Sequence, residues 1–302
     1  ELITESSSVN STKAKIVSAN SAGFCNGYEK TMYSVSLSLV ANDFVAGLNS
    51  NRKQNDGWYS VGTHWNALSP LKDIADMAIN RTIRKLGAKK PLTQSLPVVF
   101  EKNAAADFIS GLAAAANGIN VYKRQSFLAD LMNVKVGSEL FTLVDDPLIN
   151  GEIGSKPFDS EGVSSREVVL FEKGTLRNFV YDTYSAKKLN AKPTGAKDGF
   201  TNLYLQNGST PPEEMVSCIK KGILITAMIG QGANIVTGGY SRGAQGIWIE
   251  DGKLLYPLNE FTIASTFADI IKNISMMGDD LEFNGSTNSP SFKVDNITIS
   301  GI

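Results

Sequence analysis

The chain has 302 residues, 42% of them hydrophobic, and its 29 Lys and Arg against 30 Asp and Glu give a formal charge of -1. That length and apolar content suit one large domain or two ordinary ones with a real core. The charge balance argues against nucleic acid as a partner, because phosphate binding needs clustered Lys and Arg. No apolar run reaches the length of a membrane span, and Glu1 to Thr12 is polar and Ser-rich rather than a signal peptide. A cytoplasmic protein is expected, with two buried free thiols at Cys25 and Cys218, since no Cys-x-x-Cys spacing supports a thiolate metal site.

Lys13 to Ser18 alternates apolar and polar residues, and Asn20, Gly23, Asn26 and Gly27 suit a turn. Met32 to Leu39 reads as a half-buried strand. Asn49 to Gly57 reads as a polar turn before the aromatic strand Trp58 to Val61. A helix follows, with Ser69 as N-cap, Pro70 in its first turn, Leu71, Ile74, Ala75, Ala78, Ile79 and Ile83 on one face, and Gly87 past its end. Lys89-Lys90-Pro91 reads as a linker, so residues 1-92 form a first β-β-α unit and 93-302 a second, β-rich one. In the second unit Leu96 to Phe100 is a strand, and Asn103 opens a small-residue helix through Ala116, closed by Asn117-Gly118. Beyond Phe141 strands dominate, among them Ser165 to Phe171, Gly246 to Glu250 and Phe292 to Ile299. Glu172-Lys173-Gly174 and Glu250-Asp251-Gly252 read as hairpin turns. Two helices intervene, Pro212 to Lys221 and Thr266 to Ile274. The class is α+β: a mostly antiparallel sheet or barrel with packed helices, preceded by a smaller α/β unit.

His64 is the one histidine, which excludes a His-Glu-x-x-His zinc motif within the chain. It reads as a structural residue on a strand end. Asp145-Asp146 and Asp279-Asp280 are candidates for a carboxylate Mg or Ca site, although adjacent acids diverge and usually face water. Asp159 and Glu161, two apart, would share one face of a strand and could do acid-base work, against the plainer reading of a hydrogen-bonding turn anchor. Gly230-Gln231-Gly232 and Gly238 to Gly243 lack the Lys-Ser/Thr ending of a phosphate loop and read as tight loops between strands.

Several stretches carry a resemblance across nearly the whole chain: Phe158-Asp159-Ser160-Glu161-Gly162-Val163, Thr183 to Leu189, Gly239 to Glu250, Tyr256-Pro257, Gly278-Asp279-Asp280, and Ser289 to Phe292. Asn20 to Tyr33 and Tyr122 to Leu128 fit as well. In order and spacing the chain resembles the TldD/PmbA family, without that family's first segment. The resemblance implies a helix after the Pro97-Val98-Val99-Phe100 strand that carries a His-Glu zinc motif in the TldD branch. Here Ser110 and Gly111 stand at the first His and the Glu, and Ala115 at the second His. The family's C-terminal cysteine ligand has no counterpart in Leu281 to Ser289. The chain therefore resembles the PmbA branch, also called TldE.

That resemblance implies a non-catalytic subunit, with no metal site and no catalytic residue of its own. It would belong to a zinc metallopeptidase complex acting on modified or unfolded peptides. The zinc would sit in a TldD-like partner, in a heterodimer, with a homodimer when the partner is absent. Asp159, Glu161 and Arg242 are expected to shape the site rather than to react. Two alternatives remain: a stand-alone peptidase using carboxylates or a distant metal site, or a regulatory binding protein of the gyrase-modulator type.

Overall fold

The computed structural model describes residues 2-44 and 52-302. Three long strands, β1 (Leu2–Ala19), β2 (Cys25–Asn42) and β3 (Lys53–Gly62), form an antiparallel sheet in that order. The β1-β2 turn is held by Asn20, whose Oδ1 accepts from the Ala22 and Phe24 N–H groups at 3.0 and 3.3 Å. The turn expected over Asn49 to Gly57 lies outside the described residues as far as Asn51, and from Lys53 the chain is already strand. Helix α1 (Leu71–Ile83) packs on β2 and β3 through Ile74, Ala78 and Thr82, one turn apart. Pro70, not Ser69, occupies its N-cap; the Ser69 N–H is taken by the Ser60 hydroxyl at 3.0 Å.

The rest of the chain alternates short elements with long strands. In order they are β4 (Gln94–Phe100), α2 (Lys102–Ala115), α3 (Gly118–Tyr122), β5 (Leu143–Asp145), β6 (Val168–Glu172), β7 (Thr175–Leu176), α4 (Thr183–Lys188), β8 (Leu203–Leu205) and α5 (Pro212–Ser217). Then come β9 (Lys221–Ile229), β10 (Ala233–Asn234), β11 (Gly239–Glu250), β12 (Lys253–Thr266), α6 (Phe267–Lys272), β13 (Ile274–Met277), β14 (Thr287–Asn288) and β15 (Phe292–Ser300). Strands β11, β12, β15, β4 and β9 pair in that order, and β9 pairs back to β11, so the sheet closes on itself as a five-strand barrel. All its pairs are antiparallel except β4 with β9. Closure leaves no free edge on these five strands, apart from the short additions of β10 and β13. A second sheet has the order β14-β8-β5-β6-β7, and α2 lies between it and the barrel, touching β4 and β9 on one side and β8 and β14 on the other. The fold is α+β, as expected.

Local chemistry explains much of this. Both hairpin turns need two residues at positive φ: Lys173 (46°) with Gly174 (76°), and Asp251 (47°) with Gly252 (75°). Helix α6 is capped by the Thr266 hydroxyl, which accepts from the Asp269 N–H at 3.0 Å. Helix α5 stops at Ser217 rather than Lys221, because the chain turns there to enter β9. The core is centred on α2. Its Ala104, Ala105, Phe108, Ile109, Leu112 and Ala113 are all buried. The Phe108 ring lies 5.2 to 6.0 Å from those of Phe100, Tyr240, Phe267 and Phe292. Each such ring contributes roughly 1.5–3 kcal/mol by leaving water. The two cysteines are free, as expected, but exposed rather than buried.

A charged cluster joins the two parts of the chain. Glu101, just before α2, accepts two hydrogen bonds from Arg84 at 2.9 and 2.8 Å and one from Arg81 at 3.3 Å. Arg81 also reaches Asp56 of β3 (3.3 Å) and the Thr226 carbonyl of β9 (3.5 Å). Burial works against the Asp56 charge, but Arg81 and Lys85 outweigh it and hold the carboxyl below its ordinary range.

Candidate functional site

Helix α2 is the element on which a zinc motif would stand. Ser110 is exposed, but it offers only a hydroxyl. Gly111 has no side chain, and a Cβ built there would come within 3.3 Å of the Phe267 ring. Ala115 is 0% exposed, with its methyl group in the core. The three positions therefore lack imidazole, carboxylate and thiolate, and one of them faces away from solvent. Zinc needs such ligands at tetrahedral positions, so these residues do not fit the ion. Among the described residues no group of three or more His, Cys, Asp or Glu side chains is placed to hold a metal. His64 is exposed and sits just past the end of β3, before a single 3-10 turn at Trp65–Ala67.

Arg242 does lie beside α2. Its Nη1 donates to Asp107 Oδ1 at 3.0 Å and its Nη2 to the Gly230 carbonyl at 2.9 Å, tying β11 and the β9-β10 loop to the helix. Asp107 is one residue short of a turn before Ser110, so the guanidinium borders the face that a motif would occupy. Burial works against its charge, yet the hydrogen-bonded Asp107 carboxylate holds the group above its ordinary value. The Tyr240 hydroxyl is buried without a hydrogen-bond partner, and burial pushes its pKa well up. Asp107 and Tyr240 were not foreseen from the sequence. The signal available was Asp107's place on the same helix as Ser110.

Asp159 and Glu161 belong to a different cluster. They are not on a strand: residues 160-161 form a turn, so the shared-face expectation fails. The buried Asp159 carboxylate accepts from three backbone N–H groups at 3.0 Å each, those of Glu161, Val163 and Lys197. That is the turn-anchor role. Glu161 Oε2 accepts from the Thr183 N–H at 2.8 Å, and Lys197 reaches Glu161 (3.4 Å) and Asp182 (2.9 Å). Burial opposes ionisation of Asp182, but hydrogen bonds from Ser185 and Lys197 hold it below its usual range. The turn also receives the β1-β2 tip. Phe24 packs edge-on to Phe158 at 5.0 Å, and Gly162 (φ +78°) is bare because a Cβ would lie 2.8 Å from the Phe24 ring. None of these partners is shared with Arg242. With three backbone donors on its carboxylate, Asp159 is committed to holding the turn.

Of the adjacent acid pairs, Asp145 is buried rather than facing water, and accepts from the Thr201 N–H and hydroxyl at 2.7 and 3.0 Å. Asp280 binds the Ser291 N–H and hydroxyl, both at 2.8 Å. Gly230 to Gly232 is a loop between strands as expected, but only Gly238 is a turn residue in the second glycine stretch; Gly239 to Gly243 runs within β11. No helix among the described residues is long and apolar enough to cross a membrane.

Two family descriptions match the chain: the PmbA/TldA metallopeptidase central domain over residues 2–86 and the C-terminal domain over residues 93–301. A metalloprotease PmbA homolog of Buchnera aphidicola (subsp. Baizongia pistaciae) is 34% identical over 299 residues, covering 99% of this chain and 65% of the relative. A TldD homolog of Buchnera aphidicola (subsp. Acyrthosiphon pisum) is more distant, at 24% over 250 residues, or 74% of this chain and 52% of that protein. A crystal structure from Bacteroides thetaiotaomicron, named as a candidate modulator of DNA gyrase, superposes with a TM-score of 0.91 at 29% identity, covering 98% of this chain and 66% of that one. The chain thus spans about 65% of the length of the curated PmbA relative. Two matched domains covering nearly all of the sequence place it, as a plain conclusion, in the PmbA/TldD metallopeptidase family, on the PmbA side.

Proposed function

We propose that the chain is the PmbA (TldE) subunit of a TldD/TldE-type zinc metallopeptidase complex that acts on modified or unfolded peptides in the cytoplasm. In this reading the zinc resides in a TldD-like partner, and this subunit helps to enclose the peptide. The observation that carries it is the composition of α2: a hydroxyl at 110, a bare backbone at 111 and a buried methyl at 115. Without an imidazole, thiolate or carboxylate set, these three positions of α2 have no means of lowering the pKa of a metal-bound water. Asp159, Glu161 and Arg242 then serve to shape the subunit, through a turn and an interelement ion pair, and take no part in bond breaking.

The reading is tested by metal analysis of the purified chain, a TldD-type partner, and the mixture. It predicts less than a tenth of an equivalent of zinc on this chain, about one on the partner, and co-elution of the two proteins in gel filtration. Stoichiometric zinc on this chain would refute it. The gyrase-modulator name attached to a structural neighbour supports a second reading, a regulatory binding protein. Co-elution with gyrase and not with the TldD-type partner would favour that one.

A further inference from the structure

A concavity outside the features above lies at the far end of β4 from α2. Gln94, the first residue of β4, lines it. Phe100, the last, leads into α2, so the cavity stands about 20 Å along the strand from that helix. It encloses about 260 Å³. Its wall is aromatic: Trp248 of β11 and Tyr256 of β12 lie nearly parallel, at 15° and 6.3 Å between ring centres, and Leu92 adds an exposed apolar side chain. Three lysines, Lys89, Lys90 and Lys221, line it. Lys89 Nζ sits 4.5 Å over the Tyr256 ring. Lys90 is paired with Glu260 at 3.5 Å. Among the described residues Lys89 and Lys221 have no carboxylate within ion-pair distance.

An apolar wall with two lysines outside any ion pair among the described residues favours a ligand with one negative charge on an apolar body. The volume is below the range of about 300–1,000 Å³ for drug-sized sites, so it admits one residue rather than an extended segment. Two carboxylates beside lining residues disfavour a dianion. Glu250 accepts the Trp248 indole N–H at 3.2 Å and faces Lys221 across the β9-β11 register, and Glu260 holds Lys90. Lysine ammoniums act here as point charges and do not supply the planar fork that favours phosphate. We propose that this cavity binds the carboxyl-terminal residue of a polypeptide, its apolar or aromatic side chain against Trp248 and Tyr256 and its α-carboxylate between Lys89 and Lys221. The choice of a polypeptide rests on the proposed function; the preference for an apolar monoanion rests on the cavity alone. The site lies at the opposite end of β4 from α2 and would hold the end of a chain there.

The test is calorimetric titration of the purified 302-residue chain with acetyl-Ala-Ala-Phe as the free acid, as its carboxyl-terminal amide, and with AMP. Saturable binding of the acid is expected, with the amide roughly tenfold weaker, the effect of one partly desolvated charge pair. Lys89→Gln and Lys221→Gln, both exposed and outside the core, are expected to weaken the acid about fivefold to tenfold each and leave the amide unchanged. Added salt should weaken the acid more than the amide. No saturable binding, equal affinity for acid and amide, or tighter binding of AMP would overturn the assignment. This readout needs neither zinc nor a partner. A failed titration therefore leaves the subunit reading standing, and a failed co-elution leaves the cavity assignment standing.

Discussion

Asp145 is a carboxylate that the fold accepts at the expense of its charge. It is 2% exposed, and Thr201 alone supplies its hydrogen bonds. Burial outweighs those bonds and the attraction of Lys156, and pushes its pKa up to about 6. In the unfolded chain the same group titrates near 3.8. Between these values the native state keeps a proton that the unfolded state has lost. This group therefore contributes nothing adverse below about pH 4, and its cost grows as the pH rises to about 6 and stays in full above that, on the order of 3 kcal/mol. Asp145→Asn keeps an oxygen for Thr201 and removes the titration. Its unfolding free energy relative to the parent is expected to rise by about 2–3 kcal/mol between pH 4 and pH 7, as read from urea midpoints at both values. A difference that does not change with pH would contradict this account. Neither the burial of Asp145 nor the three-fold backbone binding of Asp159 was legible in the sequence. Both depend on loops, around Thr201 and Lys197, that fold back from some 40 to 55 residues away in the chain. What the sequence did carry at Asp159 was the anchor reading, because a turn-rich Asp-x-x-Gly stretch offers its own backbone N–H groups to the carboxylate.

Helix α2 would resist a zinc motif placed at positions 110, 111 and 115. Ser110, Gly111 and Ala115 were identified from the resemblance alone; that the last is buried and the second lies against Phe267 required the fold. Ser110→His/Gly111→Glu/Ala115→His is expected to lose at least 2 kcal/mol of stability, because imidazole at 115 overpacks the core and a Glu at 111 presses on the Phe267 ring. It is also expected to bind no stoichiometric zinc by metal analysis. A stable triple variant that takes up one zinc would show that the helix is a dormant site. Elements with strong local signals were readable in advance. The α2 helix shows its i, i+4 spacing of Ala104, Phe108 and Leu112, and the two hairpins show Lys-Gly and Asp-Gly pairs at positive φ. The short α5 was overestimated, since Met215, Val216 and Ile219 continue the apolar pattern into a turn that tertiary packing imposes.

At the scale of the molecule, closure of the barrel was not legible. β4 pairs with β15 and β9, strands more than a hundred residues away, and no local pattern records such partners. The join between the three-stranded sheet and the barrel was equally hidden. One part of it is Glu101, which gathers Arg81 of α1 and Arg84 just past that helix, with the Arg81 side chain only 8% exposed. Glu101→Ala is expected to cost about 2 kcal/mol by leaving those guanidiniums short of a counter-charge, measured by denaturant unfolding. Glu101→Gln should retain part of that loss-prone geometry and cost less. A change below about 0.5 kcal/mol for the alanine variant would show that the cluster is not holding the two parts together.

The central claim, that this is a supporting subunit of a metallopeptidase, meets its most direct test in cleavage of an unfolded peptide by the chain alone and then with a TldD-type partner. The account predicts no cleavage by the chain alone, and cleavage with the partner that a zinc chelator abolishes. Chelator-sensitive or chelator-resistant cleavage by the purified chain alone would contradict it.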